Sequence, residues 1–258
     1  MIDKKIYYFW NTEELPEKDK ICIETWKICM PDWKIERIPM SYVDMNLKWN
    51  KIAGNKWAFI SDQARINFLR SHSGIYLDTD MFMIKPIPEK LFDYDFVFER
   101  EPLKFFNDTF NFNNAFILRS KTQLADKIIE EWNNYYINFK GRKNKWPSII
   151  LPTLIDKLNI SEKTHNIFYT HPSFSEGFYM VNRWGNDKEI SNSEIYLNDD
   201  SIMVHFNNSF EDFCQKNVSI FEKYLMNFFI SKNINNKIIT LFKEYIKQYR
   251  KNHDFEVW

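Results

Sequence analysis

Apolar positions along the chain alternate between two patterns, short runs typical of strands and longer stretches with an apolar residue every three or four positions, typical of helices. The short runs predict strands at 5–10, 33–38, 75–77, 96–99, 110–118, 167–169 and 202–205. The longer stretches predict helices at 16–29, 56–73, 121–139 and 148–158, with short helices or a loop over 41–54. Strands that alternate with helices in this way indicate an α/β fold.

The pattern changes near the C-terminal end. Residues 218–252 predict two helices with a break near 233–236, and residues 217–252 carry seven Lys or Arg against two Glu, a net charge of +5. Such a basic face is either the solvated side of a helical cap or a surface that docks on an anionic membrane. We therefore expect a main domain over 1–215 and a C-terminal helical appendage over 216–258 that packs on it.

Composition excludes several functional classes. Net charge is zero, so no global field attracts nucleic acid, and the five glycines form neither of the Gly-rich phosphate-binding motifs. Cys22 and Cys29 lie about 10 Å apart along the predicted helix, too far for a disulfide, which favours reduced thiols. The N-terminus lacks an apolar signal region and no apolar run approaches membrane-spanning length. A cytoplasmic location is expected, with peripheral attachment to the inner face of the cell membrane as the alternative that the basic helices allow.

An acidic turn follows the predicted strand at 75–77. Asp78 and Asp80 are one residue apart at the point where the strand ends, which is where α/β sheets bind ligands. Oxygen ligands suit Mg²⁺ or Mn²⁺, and these ions commonly hold substrate phosphates. A solvated turn without a metal is the simpler alternative.

The predicted helix before this strand carries a second pair of charges. Asp62 and Arg65 are three residues apart and therefore share one helical face. They form either a surface ion pair or part of a site around the two aspartates. Gly74 is the expected C′ residue that ends this helix.

Together these residues form the pattern SDxxRxxxLxxxxGxYxDxD over residues 61–80. The pattern closely resembles the core signature of family 32 glycosyltransferases. Related groups include capsular polysaccharide glycosyltransferases, yeast-type initiating mannosyltransferases and the glucosyltransferase domains of large bacterial toxins. Residues 5–10 look like the first strand of that family. Residues 204–210 are similar to its His-x-x-x-Ser-Trp segment, with Phe210 in the place of Trp.

The resemblance implies a GT-A type fold, a Rossmann-like mixed and mostly parallel sheet flanked by helices. It implies Mn²⁺- or Mg²⁺-dependent, retaining transfer of a hexose from a nucleotide-diphospho-sugar, with UDP-hexose favoured over GDP-hexose. The implied acceptor is a glycan or lipid-linked glycan in surface or capsular polysaccharide synthesis. Alternatives are a toxin-like glucosyltransferase that acts on a protein and a non-catalytic carbohydrate-binding relative. A haloacid-dehalogenase-type phosphatase would carry Thr or Val where Met81 follows the acidic pair.

The same resemblance assigns roles to individual residues. Asp80 is implied to be the direct metal ligand, Asp78 to bind the metal through water or to bind the ribose, and His205 to be a third ligand. Asp62 is implied to accept hydrogen bonds from sugar hydroxyls, and Arg65 to contact the sugar or the diphosphate. The implied donor-binding residues, with Trp10 stacked on the base, are Trp10, Ser61, Tyr76, Asn114, Asn207 and Ser209.

Overall fold

The computed structural model describes residues 2–53, 56–105, 109–139, 158, 167–169, 175–177, 197, 199, 201–206 and 208–252. Two compact units share the chain. The first comprises residues 1–13, 32–78 and 88–171, and the second comprises residues 14–31, 79–87 and 172–258. The chain therefore passes from the first unit to the second between Asp78 and Thr79, inside the acidic turn. The expected division at residues 215 and 216 stays a prediction.

Nine strands and six helices are present in the described residues. The strands are β1 (Lys5–Tyr8), β2 (Lys34–Arg37), β3 (Gly74–Leu77), β4 (Met81–Met83), β5 (Phe96–Phe105), β6 (Thr109–Arg119), β7 (Ile167–Tyr169), β8 (Ser175–Gly177) and β9 (Met203–His205). The helices are α1 (Glu17–Cys29), α2 (Lys48–Ala53), α3 (Trp57–Leu69), α4 (Gln123–Ile137), α5 (Asn208–Ser231) and α6 (Asn236–Asn252). Short 3₁₀ turns lie at Met40–Tyr42 and Glu89–Asp93.

The first unit contains a six-stranded sheet in the order β2-β1-β3-β6-β5-β7. Strand β6 runs antiparallel to both of its neighbours, and the other five strands share one direction. The expected α/β class with a mixed, mostly parallel sheet is confirmed. The core of this unit includes apolar side chains from the sheet and from α3 and α4, among them Tyr7, Phe68, Leu69, Phe96, Phe98, Ile128 and Trp132. Each Leu, Ile or Phe side chain among them contributes about 1.5–3 kcal/mol when fully buried.

Gly74 has a different role from the expected one. Helix α3 ends at Leu69, with Arg70 still in the helical region at its C-cap, so Gly74 is not the residue that stops the helix. Gly74 instead begins β3 with φ +142°, and a Cβ atom here would lie 2.7 Å from the Lys5 carbonyl oxygen and 2.7 Å from the Tyr7 ring. Glycine is therefore required by the backbone conformation and by the close approach of β1.

The second unit joins α1, α5 and α6 to a small sheet in the order β4-β9-β8. An aromatic cluster fills its core, with Phe82 of β4 against Phe206, Phe229, Phe242 and Tyr245. The C-terminal helices and the break between them are confirmed, and Asn233 in the break has φ +50°. Helix α5 begins ten residues earlier than predicted, at Asn208.

Several other elements differ from the prediction at their ends. The first strand stops at Tyr8 instead of residue 10, and the strand that begins at Phe96 continues to Phe105. The predicted helix over 148–158 lies outside the described residues except for Leu158. Cys22 and Cys29 are buried free thiols, as expected. Within the described part of the chain, no helix has the length and apolar character that a bilayer crossing requires.

Candidate active site

Asp78 directly follows β3 in the first unit, and hydrogen bonds hold both its backbone and its side chain. Its backbone N–H donates to the Ala115 carbonyl oxygen at 2.9 Å, which fixes the residue beside β6. The Tyr76 hydroxyl donates to Asp78 Oδ1 at 2.7 Å. The Asp78 side chain is 28% exposed, so one carboxylate is held at the edge of the sheet while remaining accessible.

Arg65 connects this carboxylate to helix α3. Its Nη2 lies 2.9 Å from Asp78 Oδ1 and 3.3 Å from Asp62 Oδ1, and it donates to Ser61 Oγ at 2.8 Å. The guanidinium carbon lies 4.3 Å from the centre of the Tyr76 ring, within the range of a cation–π contact. The Arg65 and Asp62 side chains are 4% and 6% exposed. The alternative of a surface ion pair is therefore wrong, and the pair belongs to a buried network around Asp78.

The charges of this network support one another. Burial opposes the positive charge of Arg65, but the carboxylates of Asp78 and Asp62 raise the pKa of the guanidinium above its ordinary value. Burial also raises the pKa of Tyr76 well above its usual range, so the phenol stays a neutral donor. A permanently charged guanidinium over the Tyr76 ring thus pairs with both acidic side chains.

Asp80 and His205 come together in the second unit. Strand β4 pairs antiparallel with β9, which places Met81 opposite His205, and the Phe206 backbone N–H donates to the Asp80 carbonyl oxygen at 3.0 Å. His205 Nε2 lies 3.2 Å from Asp80 Oδ1. That oxygen is buried and forms no hydrogen bond with any of the described residues. A carboxylate and an imidazole with an unsatisfied ligand atom fit a divalent cation such as Mn²⁺.

A buried acidic residue that the sequence did not single out lies close to this pair. Asp19, in the first turn of α1, accepts a hydrogen bond from the Thr79 hydroxyl at 2.6 Å. Sixty positions separate the two residues, and an acidic residue in a first helical turn is common, so the sequence carries no signal for the contact. Thr79 is the middle residue of the acidic turn, between Asp78 and Asp80.

The predicted donor-binding residues lie in varied environments. Trp10 is half-buried beyond β1, and its indole N–H donates to Thr12 Oγ1 at 2.9 Å. Ser61 belongs to the Arg65 network, and Tyr76 is buried beneath the guanidinium. Asn207 and the side chains of Asn114 and Ser209 lie outside the described residues, although Asn114 is in β6 and Ser209 is in the first turn of α5.

Residues 16–98 match a family model described as a glycosyltransferase sugar-binding region containing a DXD motif. Over this segment the chain is similar to the sugar-binding region of DXD glycosyltransferases. The matched segment includes α3 and the acidic turn, and so contains Asp62, Arg65, Asp78 and Asp80. This match agrees with the expected enzyme class, a glycosyltransferase.

Solved structures of several glycosyltransferases are similar to this one. PaToxG glycosyltransferase is 20% identical, with a TM-score of 0.41 over 61% of this chain and 70% of that chain. A glycosyltransferase involved in the glycosylation of the major capsid of PBCV-1 is 11% identical, with a TM-score of 0.46 over 82% and 97%. Galactosyltransferase LgtC, in complex with donor and acceptor sugar analogues, is 11% identical, with a TM-score of 0.36 over 78% and 86%. No curated protein matches the chain in sequence.

Proposed function

We propose that this glycosyltransferase transfers a hexose from a nucleotide-diphospho-sugar to a glycan acceptor, with a divalent cation and with retention of the anomeric configuration. The observation that carries the proposal is the Asp80–His205 pair, whose facing oxygen and nitrogen atoms lie 3.2 Å apart. Asp78, two residues earlier in the chain, already has a buried guanidinium partner in Arg65. The acidic turn therefore offers one carboxylate beside an imidazole and one beside a fixed positive charge.

Mn²⁺ or Mg²⁺ is the proposed cation, held directly by Asp80 and His205, with Asp78 bound to it through water or bound to the ribose of the donor. When bound, the cation supplies Lewis-acid stabilisation of the negative charge that develops on the diphosphate leaving group. Asp80 and His205 contribute one anionic and one neutral ligand, which leaves positive charge on the ion to attract a phosphate oxygen. As the donor, a UDP-hexose is favoured over a GDP-hexose.

The buried network supports the division of roles on the sugar side. Asp62 and Asp78 both contact the same guanidinium, whereas a general base must present an available lone pair to the acceptor hydroxyl. This arrangement favours sugar orientation by Asp62 and Arg65 over deprotonation of an acceptor by either carboxylate, and it is compatible with a retaining reaction. Ser61, Tyr76, Asn114, Asn207 and Ser209 remain the proposed further donor-binding residues.

The proposed acceptor is a glycan or lipid-linked glycan of a surface polysaccharide, and the proposed location is the cytoplasm with peripheral contact to the membrane. The charge of helix α6 supports the proposed contact with the membrane. Its exposed residues include Lys237, Lys243, Lys247 and Lys251. Each basic residue near an anionic bilayer surface contributes about 1 kcal/mol to binding.

The function is tested by thermal unfolding of the wild-type protein with UDP- and GDP-hexoses, with and without Mn²⁺. A ligand at 100 times its dissociation constant stabilises the folded state by about 2.7 kcal/mol. We expect a rise in melting temperature that needs both Mn²⁺ and a nucleotide-sugar, is larger for UDP-hexoses and disappears with EDTA. Slow release of free hexose should accompany it. If neither a Mn²⁺-dependent shift nor hydrolysis occurs with any donor, the proposed function is wrong.

Replacement of Trp10 tests the nucleotide site separately. Stacking of a base on an aromatic ring contributes roughly 1–3 kcal/mol, so Trp10→Ala should weaken binding of free UDP by this amount, and Trp10→Phe should recover most of the loss. The measurement is calorimetric titration with UDP and Mn²⁺. Trp49→Phe is the control, because Trp49 is 4% exposed in the core of the same unit and should affect stability alone. Equal UDP affinity in wild type and Trp10→Ala would assign Trp10 a purely structural role.

A further inference from the structure

Helix α1 contacts the segment that carries Asp80 through three hydrogen bonds. The Trp26 indole N–H donates to the Met81 carbonyl oxygen at 2.6 Å, and Thr25 Oγ1 accepts from the Met83 backbone N–H at 2.9 Å. Seven residues earlier than Trp26, Asp19 binds Thr79. The helix therefore holds alternate residues of the segment, at positions 79, 81 and 83.

The burial of the Asp19 carboxylate in this contact costs folding free energy. Asp19 is 3% exposed and Thr79 is 6% exposed. Burial raises the pKa of the Asp19 carboxyl to about 6, and the hydrogen bond from Thr79 opposes that rise. The second oxygen, Asp19 Oδ2, is buried and has no hydrogen-bond partner among the described residues. A buried acceptor of this kind destabilises the fold by itself, and the hydrogen bond from Thr79 is the contact that joins the carboxylate to the acidic turn.

That hydrogen bond acts on the residue directly before Asp80. The Asp80 peptide is already held on one side by the Phe206 N–H and at the next residue by Trp26. The Thr79 hydroxyl is a further anchor directly before Asp80, and without it the backbone of Thr79 gains freedom to rotate and so to change the direction of the Asp80 carboxylate. A carboxylate 3.2 Å from His205 Nε2 must keep this direction if both groups are to bind one cation.

We propose that Asp19 is a positioning residue for the metal site, because through the Thr79 hydroxyl it fixes the backbone before Asp80 and so aims the Asp80 carboxylate at the cation. The inference rests on the proposed metal-dependent function. Groups that orient a metal ligand from outside its coordination sphere commonly change metal affinity by about 10- to 100-fold when removed. Asp19 and Thr79 should therefore act as one unit in metal binding although neither touches the ion.

The test is Mn²⁺ binding measured by the paramagnetic resonance signal of free Mn²⁺, which needs no turnover. Asp19→Ala and Thr79→Val should each raise the Mn²⁺ dissociation constant by roughly 10-fold or more. The double variant should be no worse than either single variant, since both remove the same hydrogen bond. Thr79→Ser and Asp19→Asn should stay within about threefold of wild type, because each keeps the hydroxyl donor or an oxygen acceptor.

Glu17→Ala is the matched control. Glu17 is in the same first turn of α1, is exposed and pairs with Lys20 at 3.3 Å, so its loss removes a helix-terminal charge without altering Thr79. We expect wild-type Mn²⁺ affinity from this variant. Unchanged affinity in Asp19→Ala and Thr79→Val, or additive losses in the double variant, would refute the positioning role while wild-type binding upholds the metal site. Absence of Mn²⁺ binding by the wild type would overturn the metal site and this inference together.

Discussion

Asp80→Asn should lower the rate of sugar transfer by at least about 100-fold while the protein remains folded. The amide has nearly the shape of the carboxylate but lacks the negative charge that holds a cation. A bound cation contributes several kcal/mol to stabilisation of the transition state, and each 1.36 kcal/mol corresponds to a factor of ten in rate. The measurement is release of nucleoside diphosphate under saturating donor and Mn²⁺, together with the melting temperature.

Asp32→Asn serves as the control for the loss of one negative charge, because Asp32 is exposed in the turn before β2. It should retain wild-type transfer at every Mn²⁺ concentration. Transfer by Asp80→Asn at the wild-type rate would eliminate Asp80 as a metal ligand. A loss of transfer that is reversed by raising Mn²⁺ to millimolar concentration would support the assignment, because it places the defect in cation affinity.

Arg65→Ala should reduce the free energy of unfolding by about 3–5 kcal/mol, the scale for removal of one partner from a buried ion pair. The change leaves the nearly buried Asp62 carboxylate and the partly exposed Asp78 carboxylate without their shared guanidinium, and it opens space above the Tyr76 ring. Arg65→Lys keeps the charge but not the planar fork, so it should fall between wild type and alanine. Urea-induced unfolding followed by circular dichroism measures the effect.

Arg70→Ala provides the comparison within the same region of the chain. Arg70 follows α3, its side chain is 42% exposed, and its Nε lies 2.8 Å from Glu130 Oε2. Such a surface pair contributes about 0–1 kcal/mol. If the two alanine variants lose similar stability, the network around Arg65 contributes no more than a solvated ion pair, and the argument from burial fails.

The parts of the fold that follow from local periodicity were predictable from the sequence. Helix α1 is confirmed within one residue, because its apolar spacing ends at Cys29 and a proline precedes it. The strand from Phe96 was predicted too short, since charged residues and a proline interrupt the apolar pattern after residue 99. Pairing with β6 sustains this strand to Phe105, and such pairing is a tertiary property.

Some features of the candidate site were likewise predictable from the sequence, and others depend on tertiary packing. The three-residue spacing of Asp62 and Arg65 predicted that they share a helical face, which is confirmed, but spacing cannot show that the face is buried. The link between Arg65 and Asp78 depends on how α3 packs against β3. The contact of Asp19 with Thr79 joins residues sixty positions apart, and only the folded arrangement reveals it.

The discontinuity of the second unit has a consequence for synthesis of the protein. His205 follows Asp80 by 125 residues, which the ribosome adds in roughly 6–25 s. During that interval the segments of the six-stranded sheet have emerged, whereas β4 still lacks β9 and the aromatic residues of α5 and α6 that cover Phe82. The apolar strand Met81–Met83 is therefore synthesised well before its partners. Chaperone binding during translation is expected at this strand, and the Asp80–His205 pair is among the last contacts of the protein to form.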